Sequence, residues 1–116
     1  MENIQPLLAK FNHFKDAEIR SIHTAAEDSA VITIAVQDDD GDDTDTIKIE
    51  CTGIKEKRLL VNSVLPFLDM MSGISIIEER NQFAFAIGRC DTMLSVLNAP
   101  LYVVSEAIRL EETPVA

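Results

Sequence analysis

The sequence predicts a mainly β domain, with α+β as the neighbouring class. Its expected form is an antiparallel sheet, or a partly open barrel or sandwich, of about six strands behind a short N-terminal helix. Three observations carry this. Two segments with a period of two, "AVITIAVQ" and "DTIKIEC", stand on either side of a reversal rich in Asp around one Gly. A second pair, within "ISIIEERNQFAFAIG", repeats the arrangement around a polar turn. Ahead of both, apolar residues at Ile4, Leu7, Leu8, Phe11 and Phe14 follow helical spacing. A chain of 116 residues that is 47% hydrophobic suits one domain, 1–116, with one core. The final segment "TPVA", residues 113–116, reads as a loose tail.

The elements follow in order. The helix over Ile4–Phe14 has Asn3 as its expected cap, and Pro6 is tolerated because it lies in the first turn. In Asp16–Ala25, Ile19 and Ile22 are three apart, which predicts a strand with a bulge or twist. Glu27–Ser29 is turn chemistry. In the first clear strand Ile32, Ile34 and Val36 share a face, and in the next Ile47, Ile49 and Cys51 do. These two make a hairpin whose tip is the acidic stretch. Past Gly53, Lys55, Lys57 and Arg58 form the densest basic cluster. Val61–Met71 predicts a short helix or an irregular crossover, because Pro66 is unsuited to a central strand.

Ile74 and Ile76, then Phe83, Phe85 and Ile87, alternate about the turn Glu79–Gln82, where Asn81 suits a left-handed conformation. The closing segment places Tyr102, Val104, Ile108 and Leu110 on one face. Glu106 interrupts that face, so it sits at a rim or the register shifts.

With 20 acidic residues against 10 basic ones, the net charge is -10. Such a field repels nucleic acid and anionic membrane surfaces and favours a basic protein partner. The N-terminus lacks a basic segment followed by an apolar core, and no apolar run approaches the ~18 residues of a membrane span. Cys51 and Cys90 are too few for a disulfide framework, so reduced thiols and a cytoplasmic location are expected.

The stretch "DDDGDDTD" supplies the candidate site: Asp38, Asp39, Asp40, Asp42, Asp43 and Asp45. A calcium loop of the EF-hand type needs glycine sixth and glutamate twelfth; counted from Asp38, Gly41 is fourth and Ile49 is twelfth. The motif fails. The carboxylates read instead as a solvated hairpin tip acting by long-range attraction.

No metal, cofactor or catalytic residue is expected. His13 and His23 have no second ligand at HxxxH or HxH spacing. Cys51 lies on an apolar strand face, and Arg89, on a strand, would point away from Cys90 and leave it unactivated. No phosphate-binding glycine loop or GxSxG elbow is present. The chain therefore reads as a non-enzymatic acidic binding protein. One alternative is a small-molecule or enzymatic domain whose pocket lies between sheet and front helix, lined by Phe83, Phe85 and Tyr102. Another is a homo-oligomeric module, such as a homodimer, joined through β edges or Met70–Met71.

"FKDAEIRSI" at Phe14–Ile22, followed by "VITIAV", a charged turn, "IKIECTGI", a second hairpin and "YVVSEAIRLEE", resembles a group of small bacterial β-rich proteins. These open on a His-Asp-Ala-Glu-like phrase running into an alternating strand. Lys15 stands where that group has histidine, so no role of that histidine carries over. Such proteins are mostly uncharacterised, and some resemble immunity proteins, which neutralise toxins by stoichiometric occlusion. The resemblance implies a binding role without an active site, with the toxin as partner.

Overall fold

The structure, a computed structural model, describes residues 4–38, 40–68 and 70–114. They form one open antiparallel sheet of six strands in the order β1-β2-β3-β6-β5-β4. The strands are β1 (Glu18–Ala26), β2 (Ser29–Gln37), β3 (Asp43–Arg58), β4 (Ile74–Glu79), β5 (Gln82–Ile87) and β6 (Tyr102–Pro114). Helix α1 (Ile4–Lys10) precedes them and α2 (Met93–Leu97) precedes β6, with 3-10 turns at Asn12–Phe14 and Asn62–Phe67. The sheet keeps two edges, β1 and β4, and so closes into neither a barrel nor a sandwich.

The first hairpin forms as its alternation dictates. Ile32 pairs with Ile49 and Ile34 with Ile47, and all four are fully buried. Strand β1 solves its three-residue spacing with a bulge. Ile19 pairs with Ile34 and Ile22 with Ile32, so β1 spends one residue more than β2 over the same span. The register shifts between Ile19 and Ser21. The extra residue turns both isoleucines toward the same core.

Strand β3 runs past the "DTIKIEC" segment and through the basic cluster to Arg58. It pairs with β6 from Asp45↔Pro114 to Arg58↔Tyr102. The ladder thus includes Thr113 and Pro114, the start of the segment read as a loose tail; residues 115–116 lie outside the described residues. Midway, both strands change side-chain parity. Cys51↔Ile108 and Ile54↔Ser105 bracket the level of Gly53 and Glu106. Below that level Cys51, Ile108 and Leu110 face the main core; above it Val103 does, while Tyr102 and Val104 turn to the opposite face. The expected common face of Tyr102, Val104, Ile108 and Leu110 is therefore corrected: the two sides of β6 exchange across Glu106 and Ala107, both exposed, and the ladder's register shift follows between Ile54 and Glu56.

The N-terminal apolar set is buried as its spacing requires, with Ile4, Leu8 and Phe14 in the main core and Leu7 and Phe11 packed against it. The helix itself stops at Lys10, short of the expected Phe14. Asn12, His13 and Phe14 all have φ between 53° and 59°, a left-handed turn that stacks Phe14 on Phe11 with centroids 5.4 Å apart. Asn and His adopt this region more readily than most residues. Asn3, the expected cap, lies outside the described residues.

The second hairpin turns through Arg80 (φ 53°) and Asn81 (φ 64°), the two left-handed residues of a type I′ reversal. Its small residues Ala84 and Ala86 face away from the main core and lie under α2. That short helix is fixed by a reciprocal cap: Thr92 Oγ1 accepts from Ser95 N at 3.2 Å, and Thr92 N donates to Ser95 Oγ at 3.1 Å.

Candidate functional site

The acidic tip is held by its own backbone. Asp38 N donates to Asp42 O at 2.9 Å and Gly41 N donates to Asp38 O at 3.0 Å. Asp38 Oδ1 accepts from Asp40 N at 2.9 Å and Asp42 N at 3.0 Å. This is an Asx turn, in which a carboxylate replaces missing backbone acceptors. Asp43 is held from outside the loop: its Oδ1 accepts from Arg20 Nη2 at 2.8 Å and from Gln37 Nε2 at 3.3 Å. Asp45 is half-buried in β3, between Val36 and Pro114. Asp40 and Asp42 are exposed. Asp39 lies outside the described residues. The sequence-predicted site residues thus sort by task. Asp38 and Asp43 shape the loop, Asp45 belongs to the ladder, and Asp40 and Asp42 face solvent.

Beside the tip is a cleft of about 320 Å³ that periodicity did not reveal. Its floor includes Ile19, Leu65 and Met70, all buried, and its rim carries Asp16, Glu18 and Gln37. Gln37 belongs to both features, because it also donates to Asp43. Arg20 links them a second time, with its guanidinium 3.5 Å from Glu18 Oε1 and 2.8 Å from Asp43 Oδ1. Tip and cleft are thus neighbours, joined through Gln37 and Arg20. A visible sequence signal for the cleft was the Asp-Ala-Glu run at residues 16–18, which leads into the bulged strand.

A second cleft, of about 340 Å³, runs along the outer side of β4 and includes His13, Ser75, Arg89, Cys90 and Asp91. Cys90 is in a loop after β5 and not on a strand, and Arg89 lines the same cleft, contrary to the orientation expected for it. Ser75 Oγ accepts from Cys90 N at 2.9 Å and donates to Gly88 O at 2.7 Å. Burial pushes the Cys90 thiol up; a hydrogen bond with Ser95 opposes this and Asp91 adds to it. The sulfur is therefore kept as thiol, the weaker nucleophile. Burial drives Cys51 further, up to about 12, against an opposing hydrogen bond with Ser105.

The three aromatics expected to line one pocket, Phe83, Phe85 and Tyr102, do not share one face of the sheet. Phe85 is fully buried in the main core, with Phe83 against it, whereas Tyr102 lies on the opposite face with Ala84 and Ala86. Its ring is covered by Arg58, 5.5 Å from the centroid. Of the Met70–Met71 pair, Met70 is buried and Met71 is 74% exposed. Among the described residues, no group of three or more His, Cys, Asp or Glu side chains is placed to hold a metal ion. Among them, too, no helix is long and apolar enough to cross a membrane.

The fold and this surface define a mainly β protein with one open six-stranded sheet and an acidic face at one end of it. No protein-family model matches the chain, and no significant match was found among curated proteins or solved structures.

Proposed function

We propose that the chain is a non-enzymatic acidic binding protein of the immunity-protein kind, which neutralises a basic toxin by covering its surface. One observation carries this: a tip fixed by its own hydrogen bonds is joined through Gln37 and Arg20 to an acid-rimmed cleft. Because Asp38 already holds the amides of Asp40 and Asp42, presenting those two residues costs less conformational entropy on binding. Exposed carboxylates at Asp40 and Asp42, on a chain of net charge -10, attract a cationic partner before contact. The resemblance of "FKDAEIRSI" and the strands after it to small bacterial immunity-like proteins supports the same role. A cytoplasmic, reducing setting accords with it, since a bacterium meets an incoming toxin there.

The test is co-production with the basic C-terminal toxin domain of a large secreted protein encoded beside this chain. Cells should survive only when both are made, and the complex should form at a rate that drops steeply as salt rises. Asp40→Asn with Asp42→Asn should slow association while leaving dissociation nearly unchanged. Absence of such a neighbouring toxin, or a complex indifferent to salt, would remove the proposal.

A further inference from the structure

We propose that an outward apolar stripe beside the acidic cleft is the anchoring half of a protein interface. Its occupant would be a basic protein that offers an apolar patch ringed by Lys or Arg. The inference rests on the reading of the acidic surface above and adds to it the part that holds the partner. The stripe is Val61, Val64, Phe67 and Met71, exposed by 68%, 39%, 86% and 74%. Five large apolar side chains are exposed among the described residues, and only Leu94 lies elsewhere.

The geometry follows from the crossover. A 3-10 helix has about three residues per turn, so side chains three apart stand in line. Val64 and Phe67 lie on the 3-10 turn Asn62–Phe67, and Val61 is its N-cap. The same turn drives Leu65, 1% exposed, into the core. Asn62 Oδ1 accepts from Ile22 N at 3.0 Å, which ties the segment to the edge strand β1. Val61, Val64 and Phe67 therefore sit on or beside an anchored turn, and Met71 lies at the cleft four residues further on. Apolar groups concentrated on one fixed surface segment mark an interaction site, whereas scattered ones do not.

Charge selects the occupant. Met71 lines the cleft whose rim carries Asp16 and Glu18, and Arg20 bridges that rim to Asp43 of the acidic tip. A second copy of this chain, also at -10, would set like-charged rims against each other. A cationic partner neutralises the rim while it covers the stripe. Such an apolar centre within a polar, charged border is the usual anatomy of a specific interface.

The experiment is amide-resolved NMR titration of the full chain with a short peptide alternating leucine and arginine, and with a control alternating leucine and glutamine. The arginine peptide should shift Phe67, Leu68 and Met71 along with Asp16 and Glu18, and the control should bind about tenfold more weakly or not at all. Phe67→Ser should reduce the affinity about tenfold without altering the spectrum elsewhere, because that side chain is exposed. Shifts confined to Asp38–Asp43 would overturn the inference and leave the acidic-tip reading standing. Equal binding of both peptides would overturn it as well. So would a concentration-dependent dimer in sedimentation that Phe67→Ser dissociates, since the occupant would then be a second copy. A loss of all shifts would remove both readings.

Discussion

Gly53 and Glu106 face each other across the β3–β6 ladder so closely that a Cβ on Gly53 would lie 2.9 Å from the Cβ of Glu106 and 2.8 Å from its Oε2. Gly53 also has φ of +67°. This is the level at which both strands exchange faces, and only a residue without a side chain fits there. Gly53→Ala should lower stability by about 2 kcal/mol, combining left-handed strain with the contact. Urea unfolding would read this as a lower midpoint at unchanged slope. Adding Glu106→Gly should return about 1 kcal/mol of it, because the contact and not the backbone angle is relieved.

A second glycine fixes the N-terminal turn. A Cβ on Gly73, at φ +72°, would overlap the carbonyl oxygen of His13 and crowd Lys15 N at 3.0 Å. Those are backbone atoms of the left-handed turn, and they have little room to move. The loop is already tied by Asp16 N and Gly73 N, which both donate to Met70 O, at 2.9 and 3.0 Å. Gly73→Ala should cost about 3–5 kcal/mol. Hydrogen exchange should show the loss first at α1 and the Asn12–Phe14 turn.

Cys51 makes the fold sensitive to alkali. Its thiol is raised by burial from 9.0 to about 12 in the folded chain. Below the unfolded value both states carry the proton and the contribution is intact. As pH rises from about 9 toward 12, the unfolded chain releases the proton and the folded one keeps it, so stability falls by about 1.4 kcal/mol per pH unit in that window. Urea midpoints at pH 7 and pH 10 would show the drop. Cys51→Ala should be less stable at pH 7 but should lose this part of the alkaline slope.

Asp38 and Asp40 have equal charge and different work. Asp38→Ala removes an oxygen that accepts two backbone N–H groups and should destabilise by about 1 kcal/mol. Asp38→Asn keeps that oxygen and should melt within a degree or two of the parent. Asp40→Asn should leave the melting temperature unchanged. Thermal unfolding of the three variants separates loop closure from surface charge.

Much of the local architecture was legible because it depends on neighbours in the chain. The alternation in β2 and early β3, the left-handed Asn81 and the bulge implied by Ile19 and Ile22 are statements about adjacent backbone angles and side-chain direction. The parity exchange in β6 was only half legible. Glu106 marked an irregularity, but its resolution depended on Gly53, a residue distant in sequence. Phe67 and Met71 gave no sign of being outside, because an apolar residue in an irregular segment has no period to assign its face.

By itself, then, the sequence determined the mainly β class, the hairpins, their turns and the acid concentrated at one of them. Only the tertiary structure decided that β6 lies between β3 and β5, that Asp38 and Asp43 are occupied in shaping the loop, and that Asp16 and Glu18 border the same surface as the tip. The physical reason is range. Local conformational preference acts over a few residues, whereas strand order and side-chain convergence are set by burying apolar area from the whole chain at once.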